Sequence, residues 1–531
     1  MMASQKRFRA RVRSRIIRAA AMCAVVECLV SARSTMGDTN ATWNPASGGE
    51  YWTTAADWST NPYYPDNGTP SGVNYAAAFP AGEEYLVFVN SNITVDSATL
   101  GSGAILQVNS GTLDAGTVSG SGSFLIQGGS IVNTTVNSNG LGVYGGILNG
   151  DTLNGAATWD GGASIQNNLS STTGATIEFE AGSLTADGGD QTISDVLLEP
   201  ATTPASLTVY PSGPDSAGAQ TLTLASNTSV QNGVTFENGH VGDTLVNDGS
   251  ISTPVLDEPG LTIETTNFTN NGTMDQNEEQ MKINCAGTVT NSSTGSISGE
   301  VVTLSISGGS IINDGSIIAY EGCELDGPVT NSGTIAIGAS PAIFSGSVAN
   351  TGTFQINGGG GSLAGLTSSA GSVDLYGANT DSGSISITGG SFEAGGTLTG
   401  DLTFSTSSPT YLADLYSKTD YDQLSLTGNA VLSGDLAVSL LNSFQPTSSE
   451  SFTILTVANG YTLSGSFANV ASGGELAVTG GEFEVFYGGA QYPDEIVLTD
   501  FQELPEPASL SLLTLGASAL MMRRRGARRL K

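Results

Sequence analysis

Carboxylates are the groups in this sequence most able to do chemistry. The 531 residues include 49 Asp and Glu but a single His. Two carboxylates flanking a glycosidic bond can hydrolyse it, one as acid and the other as base or nucleophile. Candidate pairs are Asp187 with Asp190, Glu278 with Glu279, and Glu178 with Glu180, which alternation would place on one face of a strand. Because so many acidic residues form pairs by chance, we favour a role in solvating an acidic surface.

Basic catalytic groups are scarce. A polysaccharide lyase needs a basic side chain beside a uronate, and between the two termini only Lys282 and Lys418 are available. The sole histidine, His240, lies in Asn238-Gly-His-Val241, a sequence typical of a turn. A Ser-His-Asp triad would have to use His240, and no nucleophile elbow lies near it in the sequence. We therefore predict no catalytic residue and no enzymatic activity.

Metal-binding motifs are missing from the sequence. It has no Cys-His metal spacing, no phosphate loop and no tandem Gly-Gly-x-Gly-x-Asp calcium repeat. Divalent cations such as Ca²⁺ could still relieve repulsion between carboxylates, although no motif supports a site. We predict no cofactor and no metal ligand, and leave a structural role for Ca²⁺ open.

Three tryptophans mark the segment 34–82. Trp43, Trp52 and Trp58 lie among Asn, Pro, Gly and Tyr residues. A stack of strands needs a cover over its apolar end, so we favour an aromatic-rich N-terminal cap. Exposed rings could instead stack on sugars, and Trp52 and Trp58 are then the candidate glycan-binding residues.

A short sequence motif repeats between Val246 and Asn357. The structural unit that it defines must position any functional side chains in this region. The phrase is Asn-x-Gly, Ser or Thr, and an apolar residue, with a looser copy at Asn291 and glycines at 249, 272, 295, 315, 333 and 352. Steps of 23, 23, 20, 18 and 19 residues indicate a solenoid whose units are stabilised by stacking. We expect Asn-x-Gly to form the turn, because Gly adopts positive φ and Asn tolerates the left-handed region.

The runs after each turn predict short strands. In Gly333-Thr-Ile-Ala-Ile337, for example, apolar and polar residues alternate. The predicted fold class is all-β, with a parallel β-helix or β-solenoid over 83–404 and a C-terminal β domain over 405–502 that closes it. Longer alternating runs mark this last segment, as in Asp422-Gln-Leu-Ser-Leu-Thr-Gly428. It resembles the terminal passenger region of autotransporter-type β-helix proteins, a resemblance that implies architecture and no activity.

Two cysteines lie in the predicted body of the protein. Cys285 and Cys323 are about two repeats apart, while Cys23 and Cys28 lie near the N-terminus. An oxidising compartment would permit a disulfide between Cys285 and Cys323. Two turns of a stack are about 10 Å apart, beyond bridging distance, so two free buried thiols are the alternative.

Charge divides the chain into three blocks. Eight of the 16 Lys and Arg lie at or before Arg33, and six lie at or after Arg523. Residues 34–504 hold two Lys against 47 acidic residues, a formal net charge of −45. Such a polyanion lacks the Lys and Arg contacts that phosphate backbones need, so we exclude nucleic acid as a partner.

The first 33 residues predict a secretory signal peptide. A basic start, from Lys6 to Arg18, precedes an Ala-, Val- and Leu-rich stretch that ends near Val30-Ser31-Ala32. Glu27 interrupts the apolar stretch. Export agrees independently with a body that lacks Lys and Arg.

The C-terminal tail, 503–531, has three parts in order. Pro505-Glu506-Pro507 comes first, an apolar stretch from Ala508 to Met522 follows, and Arg523, Arg524 and Arg525 close it. As a helix, 15 apolar residues would reach about 22 Å, less than the roughly 30 Å hydrocarbon core of a bilayer. The basic cluster would hold its end at the cytoplasmic face. The tail thus predicts a short hydrophobic helix that anchors the chain in a membrane, temporarily or permanently.

This tail resembles a PEP-CTERM sorting signal of Gram-negative bacteria. The resemblance implies that an exosortase-type membrane enzyme processes the chain near Pro505-Glu506-Pro507 after transient anchoring in the inner membrane. It also implies delivery to the cell surface or to an extracellular matrix, with exopolysaccharide as a further candidate partner. An ordinary C-terminal membrane anchor is the alternative, and the resemblance assigns no activity to the body.

Taken together, these patterns predict an exported structural or adhesive β-solenoid. The alternative is a glycan-binding or glycan-active β-helix protein, a hydrolase or lyase that uses the aromatic cap or an acidic groove. Loss of polysaccharide affinity in Trp52→Ala or Trp58→Ala would indicate binding, and release of reducing ends would indicate an enzyme.

Overall fold

The computed structural model describes most of the chain in ranges separated by short gaps. These ranges are 38–44, 50–138, 140–201, 205–213, 217–254, 260–277, 280–299, 304–338, 342–358, 361–405, 409–489 and 492–503. The predicted signal peptide, the predicted C-terminal helix and the sorting motif lie outside them. The chain divides into two compact units, Met1–Gly140 and Leu141–Lys531.

The first unit is a stack of short parallel strands. Its strands are β1 (Thr39–Thr42), β2 (Tyr75–Phe79), β3 (Tyr85–Val89), β4 (Ile93–Leu100), β5 (Ala104–Val108), β6 (Thr112–Gly120), β7 (Ser123–Val132) and β8 (Thr135–Asn137), and a 3-10 turn spans Ala55–Asp57. One column of parallel pairs joins β1, β2, β4, β6 and β8, and a second joins β3, β5 and β7. The predicted cap at 34–82 therefore supplies two strands, β1 and β2, to the stack itself.

The second unit is built in the same way from more strands. They are β9 (Leu141–Leu153), β10 (Ala156–Ala186), β11 (Gln191–Pro200), β12 (Ser206–Tyr210), β13 (Thr221–Leu224), β14 (Ser229–Val230), β15 (Val234–Glu237), β16 (Thr244–Asn247), β17 (Ser250–Ser252), β18 (Leu261–Glu264), β19 (Asn267–Asn270), β20 (Thr273–Gln276), β21 (Met281–Asn291), β22 (Ser296–Gly299), β23 (Leu304–Asn313), β24 (Ser316–Ala319), β25 (Cys323–Asp326), β26 (Val329–Asn331), β27 (Thr334–Ile337), β28 (Ala342–Phe344), β29 (Val348–Asn350), β30 (Thr353–Ile356), β31 (Gly361–Leu363), β32 (Leu366–Ser368), β33 (Ser372–Ser382), β34 (Ile385–Ile387), β35 (Ser391–Thr399), β36 (Leu402–Phe404), β37 (Thr410–Leu415), β38 (Leu424–Thr427), β39 (Ala430–Leu432), β40 (Asp435–Leu440), β41 (Phe452–Val457), β42 (Leu463–Gly465), β43 (Gly474–Val478), β44 (Gly481–Tyr487) and β45 (Glu495–Glu503).

Each turn of the repeat array contributes to three columns of parallel strands. Strand β16 pairs with β19, β17 with β20, and β15 with β18, so every strand bonds to its counterpart one turn on. This pattern is the predicted parallel β-solenoid, and the fold class is confirmed. Parallel stacking pairs the backbone groups of short strands that could not stand alone.

The core runs along the inside of these columns. Along one column the buried positions are Ile251, Met274, Ile297, Ile317, Ile335 and Phe354, each paired with the next. The apolar and polar alternation in the sequence places such residues inside, because successive side chains of a strand point to opposite faces. Each buried aliphatic or aromatic side chain stabilises the fold by about 1.5–3 kcal/mol.

The asparagines of the repeated phrase point into this core and form a ladder. Every rung is the last residue of a strand and is at most 1% exposed, and the rungs are Asn247, Asn270, Asn291, Asn313, Asn331 and Asn350. The Nδ2 atom of each of the first five donates to Oδ1 of the next at 2.7–2.9 Å. Each also bonds to a backbone carbonyl, as Asn313 does to Thr334 at 2.9 Å. We call this set the amide ladder.

The glycines of the phrase are needed for space rather than for positive φ. None of the six has φ in the left-handed region, and none of the six ladder asparagines does either. A Cβ on Gly333 would overlap the carbonyl oxygen of Gly315 in the turn before, and one on Gly352 would overlap that of Gly333. Asn-x-Gly does connect consecutive strands as expected, but the expected reason, positive φ, was wrong: Asn bonds along the stack, and Gly lets consecutive turns approach each other.

The C-terminal end of the second unit changes from parallel to antiparallel pairing. Strands β36, β39 and β42 still stack in parallel, so the predicted boundary at residue 405 does not interrupt the solenoid. Strand β44 then pairs antiparallel with β43 and β45, and β45 pairs antiparallel with β41. This antiparallel sheet is the β-rich C-terminal cap of the fold-class prediction. Among the described residues no helix is long and apolar enough to cross a membrane.

Candidate functional site

A group of titratable side chains lies on neighbouring turns of the second unit. Strand β33 supplies Tyr376, β35 supplies Glu393, β37 supplies Asp414, and the loop after β37 supplies Asp422. We call these four residues the carboxylate cluster. Stacking positions it, because residues 17 and 21 apart in the sequence fall near each other on neighbouring turns.

Short hydrogen bonds tie the cluster together. The Tyr376 hydroxyl donates to Glu393 Oε1 and lies 3.5 Å from Asp422 Oδ2. The backbone N–H of Asp414 donates to the same Asp422 oxygen at 2.8 Å. Asp422 is only 6% exposed, whereas Glu393 and Asp414 are half-buried. The Tyr376 hydroxyl and the Asp414 N–H therefore donate to two of the three carboxylates, those of Glu393 and Asp422.

Burial governs the protonation of the cluster. Loss of water raises the pKa of Glu393 and of Asp422, and neighbouring carboxylates raise both pKa values further. Burial, the bond to Glu393 and the nearby charge of Asp422 raise the pKa of Tyr376 far above its ordinary value. The cluster consequently binds protons more tightly than free carboxylates do.

The same geometry could hold a cation. One oxygen from each of Glu393, Asp414 and Asp422 lies within 4.8 Å of the others, close enough to share one divalent ion. Each Asp or Glu oxygen is a ligand type that Ca²⁺ accepts, yet the Tyr376 hydroxyl and the Asp414 N–H already satisfy two of the acceptors. The bonds within the cluster thus account for its arrangement without a metal.

His240 does have a serine and an aspartate beside it. Ser212 Oγ lies 3.0 Å from His240 Nδ1 and donates to Asp243 Oδ2 at 2.6 Å. In a catalytic triad the histidine lies between serine and aspartate, whereas here the fully buried serine bonds directly to the aspartate. Asp243 also accepts the backbone N–H groups of Gly239 and His240, each at 2.8 Å. The arrangement fits stabilisation of the turn and lacks the geometry of a triad.

The sequence could not reveal this group, because Ser212 precedes His240 by 28 residues. Only the register between turns brings them together.

Trp43, Trp52 and Trp58 lie in the core of the first unit. Trp52 is 0% exposed and Trp58 is 2% exposed. Trp52 Nε1 donates to the carbonyl of Pro65 at 2.8 Å, and Trp58 Nε1 donates to that of Trp52 at 2.7 Å. The Trp58 ring centroid lies 5.1 Å from that of Trp43 and 5.0 Å from that of Trp52. A sugar cannot reach either candidate ring in this packing, which favours the cap interpretation.

The other described candidate residues do not belong to the carboxylate cluster. Glu178 and Glu180 are exposed on one face of β10, as alternation predicted, and Asp190 accepts the backbone N–H of Thr221 at 2.8 Å. Lys418 Nζ lies 3.6 Å from Glu450, and Lys282 is exposed on β21. Glu278 and Glu279 lie outside the described residues, as do Pro505, Glu506, Pro507, Arg523, Arg524 and Arg525.

Cys285 and Cys323 are free and buried. Cys323 stacks between Leu304 and Ala342, whereas Cys285 pairs with Gly308, so the thiols lie at different positions along the strands of one column. Burial raises the pKa of Cys285 to about 11 and that of Cys323 to about 12. Of the two alternatives left open by the sequence, the structure has the free thiols, both in a form unreactive at neutral pH.

A surface cavity lies at the C-terminal cap of the second unit. It has a volume of about 450 Å³, and Leu440, Phe444, Pro446, Phe501 and Glu503 contribute to its lining. Phe501 is nearly buried and packs against Phe483 with ring centroids 5.0 Å apart. The sequence offered no signal for this cavity, because its lining comes from three separate segments. Two aromatic rings beside a carboxylate are a combination that can hold a sugar ring.

Comparison with known proteins assigns no family to this geometry. No protein-family model matches the chain, and no curated protein is significantly similar to it in sequence.

Proposed function

We propose that the chain is an exported structural or adhesive protein of a Gram-negative bacterium, sorted to the cell surface or an extracellular matrix through its C-terminal tail. The observation that carries the proposal is the parallel β-solenoid itself, in which repeated residues bond along the stack. Its prominent polar groups, the amide ladder and the Ser212, His240 and Asp243 group, are engaged in holding turns together. A structural role requires only such a stable stack of turns and no catalytic group.

Charge supports export. The described body is almost free of Lys and Arg, while basic residues are concentrated within the first 33 and the last nine residues. A basic, then apolar N-terminus is typical of a signal peptide, and a basic C-terminus after an apolar stretch is typical of a membrane anchor. An exosortase-type enzyme acting at Pro505-Glu506-Pro507 would release the acidic body after transient inner-membrane anchoring. The free body would then be soluble through its charge and able to join a matrix that contains exopolysaccharide.

Mass spectrometry of protein recovered outside the inner membrane tests the sorting step. We expect the wild-type chain to end near Pro507, without the peptide from Ala508 to Lys531. Glu506→Ala should retain that peptide and leave the chain with the inner membrane. Glu503→Ala, which lies just outside the motif, is the matched control and should be processed like the wild type. An intact tail on wild-type protein at the surface would contradict processing.

Glycan binding is the second candidate function, and the cavity beside Phe444 and Phe501 is the observation that favours it. Phe444→Ala should then weaken retention on exopolysaccharide at least tenfold, whereas Phe486→Ala, on the same cap but outside the cavity lining, should not. Equal retention of both variants and the wild type would contradict a glycan site in this cavity and would favour the structural role. Release of reducing ends would instead indicate an enzyme.

A further inference from the structure

One column of outward residues on the second unit is uncharged along thirteen consecutive turns. It is formed by residues that pair one turn to the next, and these are Thr192, Thr223, Val246, Thr269, Thr290, Ile312, Thr330, Ala349, Thr367, Ser386, Thr403, Val431 and Ser464. We call this set the threonine column. Seven members are Thr, two are Ser and four are aliphatic, and none is buried. It therefore presents methyl and hydroxyl groups to the outside.

A second uncharged column flanks it. The outward residues two positions earlier in the same turns are Thr221, Thr244, Asn267, Thr288, Ser310, Pro328, Ser347, Gly365 and Ser384. Charged residues next to these columns are Asp190 and Asp401, at the two ends of the second column, and Asp248 and Asp314, two positions after members of the threonine column. The uncharged face is thus two residues wide over nine turns, from Thr223 to Ser386, and is bounded by carboxylates.

Another face of the same turns is charged. Glu237 pairs with Glu264, Ser305 with Glu324, and Ser307 with Asp326 on its outward positions. Both faces need β-forming residues, so strand propensity explains the threonines but does not explain why the acidic residues avoid one face. The body has a formal charge of −45, so the lack of acidic residues over this length is a property of that face and not of the overall composition.

We propose that the threonine column is a lateral interface on which a second copy of this chain docks. Two such polyanions repel each other wherever acidic faces meet, and the screening length is about 8 Å at physiological salt. The uncharged face is where two copies can touch with the fewest like charges opposed. Small β-branched side chains on regular turns can interdigitate with a copy of themselves, as the inner faces of packed sheets do.

The dimensions suit a weak, reversible pair. The nine turns in which both columns are uncharged span about 38 Å, and two outward positions on a strand are about 7 Å apart. With the side-chain radius added at each edge, this part of the face measures about 38 by 12 Å, or about 460 Å², below the roughly 800 Å² that each partner buries in a standard interface. The pairing goes beyond the proposed export and does not depend on it.

Two-fold symmetry makes the sharpest test. In an isologous pair each residue i meets residue j and the reverse. We propose that the two columns overlap over their whole length, which places the two-fold axis at the centre of the column. Thr330 is the seventh of the thirteen positions. When two antiparallel columns meet, Thr330 of one copy faces Thr330 of the other, while Thr192 faces Ser464.

The first experiment is oxidative cross-linking of the full-length chain in a nonionic detergent. Thr330→Cys should form a disulfide-linked dimer in high yield, and Thr192→Cys alone should not. A mixture of Thr192→Cys and Ser464→Cys should form the mixed dimer. Cys23 and Cys28 are replaced by Ser in every variant, and the native Cys285 and Cys323 are buried and should not interfere. Equal cross-linking of all single variants, or none, would overturn the proposal.

The second experiment is sedimentation velocity at low and high salt. We expect the apparent dimer Kd of the full-length wild type to fall at least tenfold between about 10 mM and 500 mM NaCl, because salt screens repulsion between the acidic margins. The double variant Thr330→Asp and Thr367→Asp should raise the Kd at least tenfold. The control, Thr235→Asp with Ser362→Asp, adds the same charge on another face and should behave as the wild type.

A dimer that persists in the Thr330→Asp and Thr367→Asp variant would show that another surface mediates association, and would overturn the proposal. A wild type that stays monomeric but binds an uncharged glycan through the threonine column would assign the face to the glycan instead. Matching melting curves of the two double variants establish that both fold, so a change in Kd can be assigned to the interface.

Discussion

The amide ladder and the carboxylate cluster both place polar side chains on neighbouring turns, yet their hydrogen bonds are satisfied in different ways. Each ladder asparagine donates through Nδ2 and accepts through Oδ1, so the pattern of Asn313 on Asn331 can repeat from turn to turn. A carboxylate only accepts, so Glu393 and Asp422 depend on the Tyr376 hydroxyl and a backbone N–H. A stack of identical amides is thus self-satisfying, while a stack of carboxylates needs protons or outside donors.

The largest expected loss of stability comes from replacing one amide of the ladder with a carboxylate. Asn313→Asp replaces a donor with a second acceptor at a fully buried position, opposite the Oδ1 atom of Asn331. An uncompensated buried charge destabilises by about 3–5 kcal/mol. Urea denaturation at pH 7 should show this loss. Asn284→Asp, an exposed position on β21, is the control and should change stability by less than about 0.5 kcal/mol.

A smaller effect should follow from separating the turns that the ladder joins. Gly333→Ala would place a Cβ on the carbonyl of Gly315, so the two turns must move apart or distort. Overpacking of this kind destabilises by about 1–3 kcal/mol. The comparison is Gly82→Ala, where a Cβ meets no atom within 4 Å. Equal stability of the two variants in urea would mean that turn spacing does not limit the ladder.

The smallest effect should come from the pH dependence of the carboxylate cluster. Burial raises the folded-state pKa of Asp422 and of Glu393, so the folded chain binds protons more tightly than the unfolded chain. The stability from these groups is therefore complete below the unfolded pKa values of about 4 and is lost as pH rises through the raised folded values. Asp422→Asn should remove part of this loss and raise Tm at pH 7 by about 2 °C.

Asp420→Asn, an exposed neighbour, controls for the general relief of repulsion. Both variants should be melted from pH 3 to pH 8 in a chelator, so that only proton binding is measured. Identical pH profiles would contradict a role for burial in the cluster.

Local and periodic information was readable from the sequence. The repeat near 20 residues and the alternation within each run predicted a parallel solenoid, because a strand's two faces follow from residue order alone. The aromatic composition of segment 34–82 was readable, whereas the packing of Trp58 on Trp43, Trp52 and Phe79 required the structure. The direction of the asparagines was not readable, because turn chemistry and inward stacking favour the same residue types.

What the sequence by itself determined is the stacking fold, the uneven charge of its three blocks and the pattern of its C-terminal tail. The tertiary structure decided which residues meet across turns: Ser212 with His240, Tyr376 with Glu393, and Thr330 within an uncharged face. The physical reason is register. Successive turns differ in length, from 18 to 23 residues in the repeat array, so residues become neighbours only after each loop has been accommodated. Burial of Trp52 and of the amide ladder follows from that same three-dimensional alignment.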